Sequence, residues 1–181
     1  KYNLHLNQAN GNLRFTQRGF TAVDLPVTMN GKPAQFSLAV GGMAADPQHA
    51  VEANLRATMP VRDVLAYAPV LQAYSDRIDG SAMWNAGFSA DNDSVAVPVQ
   101  HLTLNSDLRG VSLDLPAPLH KAAAEALPLA LILGMPFAGG SIDLHIGNLS
   151  HMRGRLASPS KPFAARVDFG WDTEAALPES G

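Results

Sequence analysis

Apolar and polar residues alternate along most of this chain. A period of two puts successive side chains on opposite faces of a strand. Leu4-His5-Leu6-Asn7 alternates, as does Leu13-Arg14-Phe15-Thr16 after the turn at Asn10-Gly11-Asn12. A longer strand is predicted from Phe20 to Met29, ended by Asn30-Gly31. That dipeptide favours a tight hairpin, because both central residues need positive φ. Ala34 to Val40 answers it on the far side, and a further strand is predicted around Val51 to Ala57.

The period then changes. Val61, Val64, Leu65, Ala68, Leu71 and Tyr74 recur at three- and four-residue steps, which makes one apolar helical stripe. With Thr58 as N-cap and Pro60 in the first turn, the spacing predicts a helical segment over about residues 59–79. Pro69 kinks or splits it, and Gly80 stops it. Strands resume at Ser81 to Ser89, and Asp91-Asn92-Asp93 makes a turn. Val95, Val97 and Val99 alternate, then Leu102 and Leu104, then Val111, Leu113 and Leu115. Leu119 to Ala126 reads as a helical turn or a loop. Leu129, Leu131 and Leu133 form a strand that is apolar on both faces, because Ala130 and Ile132 lie between them. Ile142, Leu144 and Ile146 alternate with Asp143, His145 and Gly147, and two last strands cover Arg155-Leu156-Ala157 and Ala165 to Phe169.

The expected fold is therefore mainly β and largely antiparallel, with one central helical segment. A sandwich, a barrel and a long curved open sheet all fit that succession. No composition shift marks an internal boundary, so residues 1–181 read as one domain. The sequence begins Lys1-Tyr2-Asn3 without a signal peptide and ends Pro178-Glu179-Ser180-Gly181, and we expect both ends to be internal to a longer chain.

Composition narrows the chemistry. Of 181 residues 46% are hydrophobic, enough for a core, while only 16% are charged, against about 25% in ordinary soluble domains. A net charge of −3 argues against a nucleic-acid partner, which calls for a basic face. With no cysteine there is no disulfide, thiolate nucleophile or cysteine-ligated metal. The apolar stretch from Ala126 to Ser141 is broken by Pro128 and Pro136 and is too short to span a bilayer.

Catalytic motifs are missing: no Gly-x-Ser-x-Gly elbow, phosphate loop or dinucleotide fingerprint occurs. Gly41-Gly42 and Gly139-Gly140 read as turns. Asp91-Asn92-Asp93 lacks the later glycine and glutamate of a calcium loop. Asp143 and His145 share a strand face, but a metal needs three or four converging ligands. His151 has no helical spacing to bring it in, and Gly147 ends the strand between them. The expectation is a solvated face, with no metal and no cofactor. Arg109, Lys121, Arg153 and Arg155 are likewise read as solvated, and Trp84 and Trp171 as core or strand-end anchors. No enzyme site can be assembled from these residues.

One block is specific: Ser106-Asp107-Leu108-Arg109-Gly110-Val111-Ser112-Leu113-Asp114-Leu115-Pro116-Ala117-Pro118-Leu119-His120-Lys121. It resembles the signature of the YhdP-like branch of the AsmA family of bacterial envelope proteins, S-D-L-x-G-x-x-x-D-L-P-A-P-L-x-K. The family's following small-residue, Glu, Leu-Pro-Leu segment is matched by Ala122 to Leu129. His120 stands where the family often has Gly. Gly80 with Ser81-Ala82-Met83-Trp84, and the hairpin around Leu25-Pro26-Val27 and Gly31-Lys32-Pro33, agree in order.

The resemblance implies a long protein held in the inner membrane of Gram-negative bacteria by an anchor outside this segment. It would extend through the periplasm as a curved β-groove with an apolar interior and conduct phospholipids toward the outer membrane, maintaining its barrier. The partners implied are phospholipid acyl chains and neighbouring segments of the same parent chain. On that reading Leu102, Leu104, Val111, Leu113, Leu115, Leu129, Leu131, Leu133, Ile142, Leu144 and Ile146 line the groove, some of them instead buried beneath the helix. The alternative is an envelope scaffold or protein-interaction module with a closed core.

Overall fold

The computed structural model describes residues 6–66, 75–116 and 119–170. Its strands are β1 (Leu6–Asn7), β2 (Leu13–Thr16), β3 (Gly19–Met29), β4 (Lys32–Gly41), β5 (His49–Pro60), β6 (Ile78–Asp91), β7 (Gln100–Ser106), β8 (Val111–Leu113), β9 (Leu129–Met135), β10 (Ser141–Ile146), β11 (Ser150–Arg155) and β12 (Ala164–Phe169). They make one open antiparallel sheet of 12 strands, hydrogen-bonded in the order β1-β3-β4-β5-β6-β7-β9-β10-β11-β12. β2 adds to β3, and β8 adds to β6. This is the mainly β, largely antiparallel class that the alternation predicts. Among the described residues no helix is long and apolar enough to cross a membrane.

The described helix, α1, is short, running Val61–Leu65. β5 continues to Pro60, so Thr58 lies within a strand and Pro60 occupies the cap position without a side-chain cap. The rest of the expected stripe, Ala68, Leu71 and Tyr74, lies outside the described residues, as do Pro69, Leu4, His5, Pro118 and Trp171. Gly80 does not stop a helix. It lies in β6 at φ +110°, where a Cβ would sit 2.0 Å from Gly110 O.

The chain divides into two compact units. One comprises Lys1–Ala57 with Asn85–Thr103, the other Thr58–Trp84 with Leu104–Gly181. In the first, Asn30 and Gly31 both take positive φ (49° and 80°), as the predicted hairpin requires. The register then aligns Phe20–Val40–Val51, Ala22–Leu38–Ala53, Leu25–Phe36–Leu55 and Val27–Ala34–Ala57 as apolar rows. A bulge between Ala22 and Leu25 inserts one extra residue. Without it, Leu25, Val27 and Met29 would point to the face opposite Phe20 and Ala22. Asp24 stands at the bulge at φ 48° and receives the Ser37 hydroxyl at 3.3 Å.

Val95 to Val99 is not a strand, despite its alternation. Pro98 has no N–H to give a ladder. Val95 N donates to Asn92 O (3.1 Å), and Val99 N to the Asp91 carboxylate (3.1 Å). The segment is a loop held by its own turn, with Val97 74% exposed.

In the second unit Val61, Leu65, Ala82, Trp84, Leu108, Val111 and Leu127 form the core. Trp84 is buried and donates Nε1–H to Met59 O at 3.2 Å, which satisfies its one polar atom. The strand predicted at Arg155-Leu156-Ala157 is instead β11, Ser150–Arg155.

Candidate functional site

The strands β9 to β12 carry the most regular apolar surface of the second unit. Residues directly opposite in antiparallel strands share a face. One face thus carries three rows: Leu129–Ile146–Ser150–Phe169, Leu131–Leu144–Met152–Val167, and Leu133–Ile142–Gly154–Ala165. The core cluster packs against Leu129 and Ile146, at one end of this face. The other two rows lie further along the strands, and their large side chains are half-buried or, at Val167, exposed.

The expected lining residues divide accordingly. Leu131, Leu133, Ile142 and Leu144 stand together in adjacent rows on one face. Leu129, Ile146, Leu104 and Leu113 are partly buried against the core. Val111 is fully buried, so it fills the core and lines no open face. Leu102 is half-buried on β7, and Leu115 half-buried just beyond β8.

The signature block builds a structural junction. Leu108 and Gly110 take positive φ (51° and 92°), which turns the chain back between β7 and β8. Ser106 Oγ donates to Met83 O (2.8 Å) and accepts Leu108 N–H (3.1 Å), and the Asp107 carboxylate accepts Arg109 N–H (3.0 Å). Gly110 N donates to Ala123 O and Leu127 N to Asp107 O, both at 2.8 Å, tying the returning segment in place. Lys121, expected on the surface, is instead only 4% exposed. Its ammonium donates to Leu108 O (2.9 Å), Val111 O (2.6 Å) and Ala122 O (3.0 Å). Burial drives its pKa below the ordinary lysine value, with Glu125 and Asp107 opposing that shift.

The first unit holds a cleft of about 450 Å³ over β3 to β5, lined by Ala22, Leu38, Met43, Ala53 and Phe88 among others. His49 and Glu52 stand at its wall. Glu52 accepts Ala45 N–H (2.8 Å), Asp46 N–H (2.9 Å) and the His49 ring at Nδ1 (2.7 Å). Burial raises the Glu52 pKa, but these hydrogen bonds outweigh it and hold the carboxyl below its usual value. The arrangement clasps the loop between β4 and β5.

The opposite face of β9 to β12 is polar. Its rows are Ala130–His145–His151–Asp168 and Ile132–Asp143–Arg153–Arg166. The hairpin turn at Gly147 to Leu149 does what helical spacing could not: it sets His151 directly opposite His145. Asp143 Oδ1 lies 2.9 Å from His151 Nε2 and 3.1 Å from His145 Nε2. The expectation that nothing joins these histidines is therefore corrected. The signal was present, since Asn148 is equidistant in sequence from both.

Neither the curated proteins nor the solved structures yield a match to this chain. The YhdP protein family model matches residues 1–181, and that agrees with the signature block and with the antiparallel sheet it knits together. The chain therefore belongs to the YhdP family, a family of bacterial envelope proteins.

Proposed function

We propose that this chain is a non-enzymatic segment of a periplasm-spanning protein that shields phospholipid acyl chains and conducts them between the inner and outer membranes. Its role would support the outer-membrane barrier, and its parent protein is anchored in the inner membrane outside this segment. One observation carries the reading. Leu131–Leu144–Met152–Val167 and Leu133–Ile142 form continuous apolar rows across β9 to β12, while the opposite face carries Asp143, His145, His151, Arg153 and Arg166.

The energetics suit the task. Each CH₂ exposed to water costs about 0.8 kcal/mol, so a chain of ~16 carbons crossing unshielded forfeits on the order of 10 kcal/mol. An apolar sheet face offsets that cost without making or breaking a bond. Same-face residues on a strand repeat about every 7 Å. Rows of similar aliphatic side chains therefore offer many near-equal positions, and a lipid slides rather than lodges. The cleft on the first unit falls within the range of small-ligand sites, about 300–1,000 Å³.

The test is native mass spectrometry with organic extraction on protein purified without detergent from a bacterial host. Wild type should carry phosphatidylethanolamine or phosphatidylglycerol. Leu131→Asn should lose it, and Ile132→Asn, on the same strand but the polar face, should retain it. A lipid-free wild type, or equal loss in both variants, overturns the reading in favour of a closed interaction module.

A further inference from the structure

The polar face of β9 to β12 holds a cluster that lipid shielding does not use. We propose that Asp143, His145 and His151 form a binding site for one divalent transition-metal ion, zinc by preference. Three potential ligand atoms, one from each residue, lie within 4.8 Å of one another. The two Nε2–Oδ1 separations, 2.9 and 3.1 Å, are close to the ~3.3 Å edge of a tetrahedron whose centre-to-ligand bonds are about 2.0 Å.

The donor set selects the ion. Two imidazoles and one carboxylate suit zinc and its neighbours, whereas calcium and magnesium take oxygen ligands. Zinc also has no geometric preference from its d electrons, which suits an irregular site on a hairpin. The remaining position is open to water. Asp168 is in register beside His151, and its carboxylate is already held by Arg166 Nε at 2.8 Å. Arg153 faces Asp143 across the strand pair. The face thus carries Asp143 and Asp168 with Arg153, Arg155 and Arg166, and Arg155 lies a row further from the histidines, opposite Ser141.

The rings themselves report occupancy. They are stacked, with centroids 3.6 Å apart and planes 21° apart. Stacked rings present their Nε2 atoms side by side, so binding must rotate one ring until both lone pairs converge on the ion. His145, whose side chain is 51% exposed, has room to turn. His151 Nε2 donates to Asp143 Oδ1 at 2.9 Å, so ligation through Nε2 moves that ring's hydrogen to Nδ1, and a neutral ring loses no net proton.

The site forms within one hairpin and is independent of lipid binding. The test is calorimetric titration of the chelator-treated chain with zinc chloride, together with the visible spectrum of its cobalt(II) form and the NMR signals of the histidine rings. We expect one ion per chain at micromolar concentration, a tetrahedral cobalt spectrum, and shifts confined to His145 and His151. His145→Ala, His151→Ala and the near-isosteric Asp143→Asn should each weaken binding by at least ~10-fold. His120→Ala should leave it unchanged. Circular dichroism checks that the surface variants keep their fold. Binding only at millimolar concentration, or binding that survives replacement of both histidines, overturns the proposal.

Discussion

Lys121→Met removes a buried ammonium while keeping an unbranched stem of similar length. It therefore isolates the charge and its hydrogen bonds from the packing. Three carbonyls lose a donor. Two of them keep a backbone partner: Leu108 O still accepts Val111 N–H at 3.1 Å, and Ala122 O still accepts Glu125 N–H at 3.1 Å. Val111 O, the closest contact at 2.6 Å, loses the donor it relied on. A buried acceptor deprived of its partner costs about 1–3 kcal/mol. Removing a desolvated charge returns part of that. The expected net loss is ~1–2 kcal/mol.

Urea unfolding followed by Trp84 fluorescence reads the same core. With a slope of about 1–3 kcal/mol per M, the midpoint should fall by roughly 0.5–1 M. The pH dependence gives a second, independent readout. The folded state holds the lysine pKa below its unfolded value of about 10.4. Between those two values the unfolded chain binds more protons, so wild-type stability rises with pH across that window. The Met variant lacks this rise, so the difference between the two proteins grows toward alkaline pH. A variant as stable as wild type with an unchanged alkaline slope would refute the argument, because Lys121 would then have no role as a buried donor.

Two further outcomes follow from single residues. Glu52 has a lowered folded pKa, so its contribution is present above the unfolded value of about 4.3 and is lost as pH falls through the folded one. Glu52→Gln should flatten acid unfolding in that window, and an unchanged acid profile by circular dichroism would count against the clasp. Gly80→Ala places a methyl 2.0 Å from Gly110 O at φ +110°, so backbone must move. That should cost at least ~2 kcal/mol and lower the melting temperature, whereas Gly31→Ala, with open space around it, should cost only the ~1–2 kcal/mol of its positive φ.

Where a prediction needed only local information, the strand pattern carried it. Alternation already places Leu129, Leu131 and Leu133 on one face of β9, and Ile142, Leu144 and Ile146 on one face of β10. Asn30-Gly31 turns as expected because its preference for positive φ is intrinsic. Val95 to Val99 alternates equally well yet is a loop. Pro98 denies it a ladder, and the Asp91 and Asn92 groups take its N–H donors. β11 was hidden for the opposite reason. Ser150-His151-Met152-Arg153-Gly154-Arg155 has little apolar pattern of its own and is a strand because β10 and β12 supply partners on both edges.

By itself, the sequence determined a mainly antiparallel β protein, its principal hairpin and its family, because periodicity, turn preference and a specific motif are properties of neighbouring residues. Tertiary structure alone decided that Val111 and Lys121 are buried, that Leu131 and Leu144 stand in one row, and that Asp143, His145 and His151 converge. Those facts depend on which strand lies beside which, and on how a turn sets the register across it. Burial and convergence are relations between residues on different strands, and the alternation within any one strand does not encode them.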